Sequence, residues 1–388
     1  MRRPLHTVKY FLSRADMMLL FLCVITTTLG IVMVASATQY FGTARNLTIQ
    51  VVALLLGICF YAFFTMLDID IVAERREVLF LFNLVFIALL RTPLGTVVGG
   101  NRSWLDFPLI PFNIQPVEVC KIPFIILLAK TMTIYQNTLS KPSTVLRLGF
   151  HVTFIFGVVL VMSRDAGVGM MYILVFLVML WVGGVHWSWF AIGIGVVAIL
   201  FPIAWGLDII GDYQKQRILM IFDPSIDPDG VDIRWQTNQS LLTLTSGGVT
   251  GHGLFQGPRT QMGALAEQHT DFIFSVVGEE LGILGCMLVL FLEMAIIARC
   301  VYVGVKSGSF MNRMICIGIA GMLGWQVIIN VGMCLGLTPV IGLTLPFMSY
   351  GGSSLITMYA AMGVVSGIHM RPAPDTSAHY VRPPYYNP

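Results

Sequence analysis

The sequence contains few charged residues. Asp, Glu, Lys and Arg make up 11% of its 388 residues, whereas hydrophobic residues make up 56%. A soluble domain carries about 25% charged residues, and the mean hydropathy here is +0.81. Because an aqueous fold cannot bury so much apolar side chain, lipid must be the solvent for most of the chain. The net charge of +3 gives no indication of nucleic-acid binding.

Several common sequence signals are also missing. The seven cysteines form no C-x-x-C pair and mostly lie in apolar runs, so we expect buried, unreactive thiols and no disulfide framework. No small-residue cleavage pattern sets the first apolar run apart from later ones, so we expect the first span to act as its own signal. The glycine-rich stretch 246–257 lacks the Lys-Ser/Thr of a P-loop, which argues against a nucleotide site.

The long apolar runs predict an all-α polytopic membrane protein with about ten transmembrane helices. We expect a cytoplasmic N-terminal tail at 1–16, a transmembrane domain at 17–370, a large external loop at 208–270 and a disordered cytoplasmic tail at 371–388. The predicted spans are roughly 17–36, 47–66, 78–96, 116–135, 147–162, 168–183, 187–207, 271–300, 314–337 and 350–368.

The distribution of lysine and arginine orients these spans. Thirteen lysine and arginine residues lie in the two tails and in the links 67–77, 136–147 and 299–313, whereas eight lie on the opposite side. Four of those eight lie in the long loop, where the positive-inside rule counts least. Both termini are therefore predicted to be cytoplasmic, and the loops 97–115 and 208–270 external.

Two ionisable residues lie inside the fourth predicted span. Glu118 and Lys121 are three residues apart, so on a helix they share one face. They could form an ion pair that only neutralises itself. Because ionisable residues inside membrane helices are costly and usually face a polar cavity, we favour a functional cavity.

A second polar cluster precedes the eighth predicted span. His269 and Asp271 could pair on its first turn, and Asp271 is equally consistent with a helix cap and with a general base. Glu279 and Glu280 follow about two turns later, and at least one should face an internal polar cavity. Asp271 and Glu279 are eight apart, which would place them on nearly the same helical face.

The remaining polar features are weaker indications. Asp165 is best explained as the cap of span six. Arg102 and Trp104 are ordinary interfacial residues by spacing alone. The segment 213–221 has the spacing of an amphipathic surface helix, and the Pro- and Gly-rich connection 338–354, which includes Ser353, could form a re-entrant loop.

Taken together, these stretches resemble the SEDS (shape, elongation, division and sporulation) family of bacterial membrane proteins over roughly residues 17–370. Within the family, the long-loop motifs look most like the elongation member, with the division and sporulation members as close alternatives. The resemblance rests on Asn101-Arg-Ser-Trp104, Gln115-Pro-Val-Glu-Val-Cys-Lys121, Tyr213-Gln-Lys-Gln-Arg217, Gly251-His-Gly-Leu-Phe-Gln-Gly257, His269-Thr-Asp-Phe-Ile-Phe274, Gly278-Glu-Glu-Leu-Gly282 and Leu345-Pro-Phe-Met-Ser-Tyr-Gly-Gly-Ser-Ser354.

The resemblance implies a peptidoglycan glycosyltransferase that polymerises lipid II on the outer face of the bacterial cytoplasmic membrane, during cell elongation, division or sporulation. It also implies a class B penicillin-binding protein as partner within a cell-wall synthesis complex. The family's essential aspartate maps onto Asp271, its cavity Glu and Lys onto Glu118 and Lys121, and the acid of its Pro-Asp-Leu-Gly turn onto Asp165. Here that turn begins with Arg164 instead of proline.

On this basis Asp271 is the expected general base for the acceptor sugar hydroxyl. The leaving pyrophosphate requires a cation, for which side chains or a divalent Mg²⁺ or Mn²⁺ ion are candidates. The predicted substrate-binding residues are Glu118, Lys121, Arg102, Trp104, Asp165, Arg217, His269, Glu279 and Ser353.

Two other functions remain open at this stage. A lipid II flippase or other transporter would use intramembrane Glu118 and Lys121 equally well, although the clustering of the polar residues on one side and the absence of a convincing internal repeat favour surface chemistry. A non-catalytic scaffold of the cell-wall synthesis complex would require no acid at Asp271.

Overall fold

A computed structural model describes residues 11–98, 101–108, 111–208, 215–216, 219 and 234–371. The described chain is predominantly helical. Its α-helices are α1 Met17–Ala37, α2 Arg45–Met66, α3 Ile69–Glu74, α4 Arg76–Ala88, α5 Pro116–Ile134, α6 Pro142–Ser163, α7 Ala166–Gly183, α8 Ser188–Gly206, α9 Trp235–Ser246, α10 Pro258–Gln261, α11 Ile273–Lys306, α12 Phe310–Cys334 and α13 Gly352–Met370.

Eight of the described helices are long and apolar enough to cross a membrane: α1, α2, α6, α7, α8, α11, α12 and α13. They correspond to eight of the ten predicted spans. The other two predicted spans coincide with α4, which has only 13 residues, and with α5, which carries Glu118, Lys121 and Lys130. The multi-span helical architecture is confirmed, and the count of ten stays a prediction.

The connection between α4 and α5 contains a β-hairpin that the all-α prediction missed. Strand β1 (Gly95–Val98) pairs antiparallel with β2 (Asn101–Leu105), with Thr96 opposite Trp104. The hairpin lies close to the end of α4, because Gly95 approaches the carbonyl of Leu90 so closely that a β-carbon there would lie 2.0 Å from the oxygen. Only glycine fits at this position.

Helix α11 is not the continuous span predicted at 271–300. It begins at Ile273 and is interrupted at Gly282, where φ is 67° and ψ is −165°. The part before the break, 273–280, is completely buried. The apolar surface that lipid would contact begins after the break, with Ile283, Leu284 and Met287 all more than half exposed.

The glycine-rich segment 247–253 satisfies the backbone groups that this break leaves open. The N–H groups of His252 and Gly253 donate to the carbonyls of Glu279 and Glu280, at 3.0 and 2.9 Å. In return, the N–H of Ile283 donates to the carbonyl of Gly248 at 3.0 Å. Irregular backbone at membrane depth is tolerated only where protein supplies its hydrogen bonds, and this segment supplies them.

Close helix contacts hold the remaining spans together. Gly57 of α2 lies against the ring of Tyr359 on α13, and Gly363 of α13 lies against the backbone of Tyr61 on α2. Small residues at such contacts let two helix backbones approach, which is the main source of helix association in lipid. Helix α8, by contrast, contains no buried residue.

Candidate active site

Asp271 lies in the turn immediately before α11. The helix begins at Ile273, its N-cap residue is Phe272, and no side chain caps it. Asp271 is half-buried as a residue, and its carboxylate forms no hydrogen bond or ion pair with any residue of the described ranges. The helix-cap explanation of Asp271 is therefore wrong, and its carboxylate is available for chemistry.

The surroundings of Asp271 make it a stronger base than an ordinary aspartate. Burial, followed by the negative charges of Glu267 and Asp165, raises the pKa of Asp271 to about 7. An ideal catalytic pKa lies near the operating pH, because the group is then both available and reactive. Asp271 meets this condition at neutral pH.

The backbone around Asp271 is held by hydrogen bonds from two distant parts of the chain. The side-chain amide of Asn330, on α12, donates to the carbonyls of Asp271 and Leu343, at 2.8 and 2.7 Å. The hydroxyl of Ser349 donates to the carbonyl of Thr270 at 2.5 Å. These contacts fix the main chain and leave the carboxylate of Asp271 free.

Gln50 on α2 holds the loop that provides this support. Its amide nitrogen donates to the carbonyl of Ser349 at 3.0 Å, and its amide oxygen accepts from the N–H of Gly351 at 3.2 Å. Sequence analysis could not single out Gln50, because it is a lone polar residue in an apolar span and belongs to no motif. Asn330 lies next to the connection 338–354, but its contact with Asp271 depends on tertiary packing.

Asp165 caps α7, as predicted from the sequence. Its carboxylate accepts from the N–H of Val168 at 3.1 Å and from the hydroxyl of Ser103 at 3.3 Å. Burial raises the pKa of Asp165, while these hydrogen bonds lower it and the charge of Glu118 raises it. Asp165 therefore has a structural task in addition to its electrostatic effect on Asp271.

The turn that carries Asp165 approaches the turn of Asp271 through residues 341–342. A β-carbon on Gly167 would lie 1.7 Å from the side chain of Ile341, and one on Gly342 would lie 3.5 Å from Oδ2 of Asp271. The N-terminus of α7 and the turn before α11 thus meet across this connection. The structure brings Asp165 and Asp271 together, although 106 residues separate them in the chain.

Glu118 and Lys121 form a buried ion pair near the start of α5. Lys121 Nζ lies 2.7 Å from Glu118 Oε1, and both side chains are almost completely buried. The second carboxylate oxygen of Glu118 is buried without a partner among the described residues. Because the charge of Glu118 acts on Asp165, the pair belongs to the same polar region as Asp165 and Asp271.

Ser353 lies at the edge of this region, at the start of α13. Its hydroxyl accepts the N–H of Gln115, directly before α5, at 3.3 Å. Ser353 therefore joins α13 to the helix that carries Glu118 and Lys121. Arg217, the remaining long-loop candidate, lies outside the described residues.

Arg102 and Trp104 lie on the opposite face of the hairpin from Ser103. Side chains alternate along a strand, and Ser103 is the residue that contacts Ser163 and Asp165. Arg102 instead donates to the carbonyl of Thr92 at 3.0 Å, and its Nε is buried without a partner among the described residues. The structure does not bring Arg102 to Asp165.

His269 does not pair with Asp271. Its ring packs between Phe41, at a centroid distance of 5.6 Å, and Tyr350, at 5.4 Å. Burial lowers the pKa of His269, which Glu267 partly opposes. A neutral imidazole in an aromatic setting suits packing, and any contact of His269 with a substrate remains a prediction.

Glu279 does not face a cavity shared with Asp271. Its carboxylate accepts the N–H groups of Arg259 and Thr260, at 3.0 and 2.8 Å, the hydroxyl of Thr260 at 2.6 Å, and that of Ser246 at 3.3 Å. The expectation that Glu279 and Asp271 share one helical face fails, because Asp271 precedes the helix. Glu279 instead holds the segment 246–260 against α11.

Glu280 has an equivalent structural role. It accepts from Ser36 on α1 at 2.5 Å, from Gln261 at 3.2 Å, and from the N–H of Phe255 at 3.1 Å. The adjacent carboxylates of Glu279 and Glu280 thus avoid lipid by binding the loop. The sequence predicted that at least one of the two would face an internal polar cavity; in the structure both carboxylates accept hydrogen bonds from other parts of the protein.

A preformed metal site is absent from the described residues. They contain no group of three or more His, Cys, Asp or Glu side chains close enough to hold a metal ion. The two charges that act on Asp271 both belong to acids. The site therefore consists of the carboxylate of Asp271, which is unpaired within the described chain, the negative charges of Glu267 and Asp165 that act on it, and the buried ion pair of Glu118 and Lys121 in the same region.

Comparisons with known proteins agree with this arrangement. Residues 16–373 match the FTSW_RODA_SPOVE family, described as cell cycle proteins. The peptidoglycan glycosyltransferase MrdB of Escherichia coli K12 is 34% identical over 277 residues, covering 71% of this chain and 72% of MrdB. A probable peptidoglycan glycosyltransferase FtsW of Geobacter sulfurreducens is 33% identical over 367 residues, covering 93% of this chain and 96% of the relative.

Solved structures with the same fold include a chain from a peptidoglycan synthase complex that coordinates polymerization and crosslinking. It superposes with a TM-score of 0.79 at 30% identity, covering 93% of this chain and 99% of that one. The rod shape determining protein RodA of Thermus thermophilus superposes with a TM-score of 0.65 at 27% identity, covering 92% and 96%.

Proposed function

The chain belongs to the FTSW_RODA_SPOVE family of cell cycle proteins and is a peptidoglycan glycosyltransferase, and we propose that Asp271 is the general base of its reaction. The activity follows from relatives that are named for it and that match most of this chain. The substrate of the proposed reaction is lipid II, which the enzyme polymerises into glycan strands. The proposed location of the reaction is the external face of the cytoplasmic membrane.

One observation carries the assignment of Asp271. The other acids in the family motifs already form hydrogen bonds or ion pairs within the protein. Asp165 caps α7, Glu118 pairs with Lys121, and Glu279 binds the segment 246–260. The carboxylate of Asp271 has no such partner in the described chain, and the residue is only half-buried. Because its pKa is about 7, it can accept a proton near neutral pH.

The proposed reaction is a displacement at an anomeric carbon. The 4-hydroxyl oxygen of the acceptor sugar forms a bond to that carbon as the bond to the lipid pyrophosphate breaks. The hydroxyl proton moves to Asp271, and the lipid pyrophosphate leaves with the bonding electrons. Glycosyl transfer develops positive charge on the sugar ring, which the negative charges of Asp165 and Glu267 stabilise.

The proposed partner is a class B penicillin-binding protein that crosslinks the new strands. This proposal is supported by the solved peptidoglycan synthase complex, which coordinates polymerization with crosslinking.

The test is polymerisation of lipid II by the purified protein and its partner in liposomes. We expect Asp271→Asn to lower the rate by at least about 100-fold, the usual contribution of a general base. Asp106→Asn, which changes an exposed acid beside the hairpin, is the matched control and should polymerise normally. Full polymerisation by Asp271→Asn would remove Asp271 from this role.

A further inference from the structure

An open groove of about 700 Å³ lies between α4, α5 and α6. Its residues come from 76–81 of α4, 127–131 of α5 and 147–154 of α6, whereas Glu118 lies at the other end of α5 and Asp165 directly follows the other end of α6. The groove therefore opens at the opposite end of the helices from the proposed active site.

The wall of this groove is largely aromatic. The rings of Phe80 and Phe154 stack at a centroid distance of 5.8 Å, and Leu127 completes the wall. His151 stacks on Phe124 at 5.8 Å, and its Nε2 atom is buried without a partner among the described residues. Such a wall accepts an apolar chain, and it retains one unsatisfied polar atom.

The mouth of the groove is basic. Arg76 and Arg147 are both exposed there, and neither forms an ion pair with a described residue. The guanidinium of Arg147 lies 5.0 Å from the ring centroid of Tyr135, which holds it beside the groove. Among the described residues that line the groove Glu77 is the one acid, so the rim carries an excess of positive charge.

We propose that this groove binds one anionic phospholipid of the cytoplasmic leaflet. Its phosphate lies between Arg76 and Arg147, and an acyl chain lies along Phe80, Leu127 and Phe154. The distribution of lysine and arginine predicts that this end of the helices faces the cytoplasm, where anionic lipids attract basic residues near the membrane. The proposal is independent of the role of Asp271, since the two sites lie at opposite ends of the helices.

The test measures lipid retention by the purified full-length protein in native mass spectrometry. The probes are phosphatidylglycerol and zwitterionic phosphatidylethanolamine with identical acyl chains. The wild type should retain phosphatidylglycerol preferentially. Replacing Arg76 or Arg147 with Gln should weaken that binding about fivefold each, the factor expected for one basic residue near an anionic surface, and should leave phosphatidylethanolamine unchanged.

Two variants serve as controls. Arg75→Gln removes a neighbouring exposed charge that does not line the groove, and it should have no effect. Glu77→Gln removes the acid of the rim, so it should strengthen phosphatidylglycerol binding. This gain of binding cannot result from unfolding, which keeps the test decisive if the arginine variants prove unstable.

Three results would overturn the proposal. The first is equal retention of both lipids by the wild type. The second is the same loss in Arg75→Gln as in the groove variants, because that would indicate general surface attraction. The third is full displacement of phosphatidylglycerol by soluble glycerol phosphate, because the site would then recognise a small anion without its acyl chain.

Discussion

At the scale of the residue, the acids that align with the family motifs differ in what they bind. Asp165 and Glu279 accept hydrogen bonds from backbone N–H groups, and Glu118 lies 2.7 Å from an ammonium. Asp271 has its backbone carbonyl bound by Asn330 and its carboxylate unbound. The carboxylates of Asp165, Glu279 and Glu118 therefore stabilise the structure. In our proposal the carboxylate of Asp271 serves catalysis.

The first prediction concerns pH. Because Asp271 must be ionised to accept a proton, and its pKa is about 7, we expect polymerisation to rise through pH 7 and then reach a plateau. Glu267→Gln removes a negative charge that raises this pKa, so the rising limb should move to lower pH. The measurement is the initial rate of lipid II polymerisation from pH 5 to 9. An unmoved limb in Glu267→Gln would contradict the electrostatic explanation.

The second prediction concerns Asn330 as a positioning residue. Asn330→Ala leaves the carbonyls of Asp271 and Leu343 without their donor, so we expect kcat to fall by a factor of about 10 to 100, as small misplacements of catalytic groups do. The pH limb should stay at the same position, since no charge changes. KM for lipid II should also be unaffected.

Gln326 offers a matched control for Asn330, one turn earlier on α12. Both polar atoms of its side chain are buried without partners among the described residues. Gln326→Leu should therefore preserve both activity and thermal stability. If Gln326→Leu lowered kcat as much as Asn330→Ala, the effect would be general to α12 and the positioning role would be lost.

At the scale of the element, α11 and the segment 246–261 form one unit. The break at Gly282 is possible because residues 247–253 bind its open backbone groups. A β-carbon on Gly251 would lie 2.1 Å from the carbonyl of Glu280, and one on Gly282 would lie 2.4 Å from that of Val249. Both glycines also have positive φ, so close approach and backbone conformation select glycine together.

The third prediction separates the structural role of Glu279 from a catalytic one. Glu279→Ala removes the acceptor of four hydrogen bonds, so we expect the free energy of unfolding to fall by at least about 3 kcal/mol. The amides of Arg259 and Thr260 should then exchange hydrogen much faster. Thermal unfolding in detergent and hydrogen exchange measure the two effects, with exposed Asp106→Ala as the control.

A normal melting temperature and unchanged exchange in Glu279→Ala would contradict this role. The sequence alone could not distinguish a structural role of Glu279 from a catalytic one. Its helical periodicity assumed an unbroken helix from 271, whereas the partners of Glu279 lie in two other helices, Ser246 at the end of α9 and Arg259 and Thr260 in α10.

At the scale of the whole molecule, the proposed sites depend on the orientation of the helices in the membrane. The segment around Met262 is predicted to be external, and the link around Asn137 cytoplasmic. Both residues are exposed in the structure. The two links lie on opposite sides only if the predicted span count between them is right.

The fourth prediction therefore uses cysteine labelling in intact cells. In a background carrying Cys59→Ser, which removes the one exposed native thiol of the described chain, we introduce Met262→Cys or Asn137→Cys. An impermeant maleimide should modify the first variant in intact cells and the second only after the membrane is opened. Labelling of both from the same side would show that the span count or the orientation is wrong.

The sequence by itself determined the membrane class and the positions of most helices. Lipid as solvent requires each span to be apolar over its length and to keep its charged residues at the ends. This requirement acts on each span separately, so it can be read from the local sequence. The boundaries of α1, α2 and α13 lie within a few residues of the predicted spans for this reason. The motif around Asp271 also identified the candidate base before its surroundings were known.

Only the tertiary structure decided what each polar side chain binds. It separated Asp271 from Glu279 by starting α11 at Ile273, it placed Asn330 against the Asp271 carbonyl, and it turned Arg102 away from Asp165. Hydrogen bonds and electrostatic shifts depend on distances between segments far apart in the chain. Those distances follow from packing, which local periodicity does not encode.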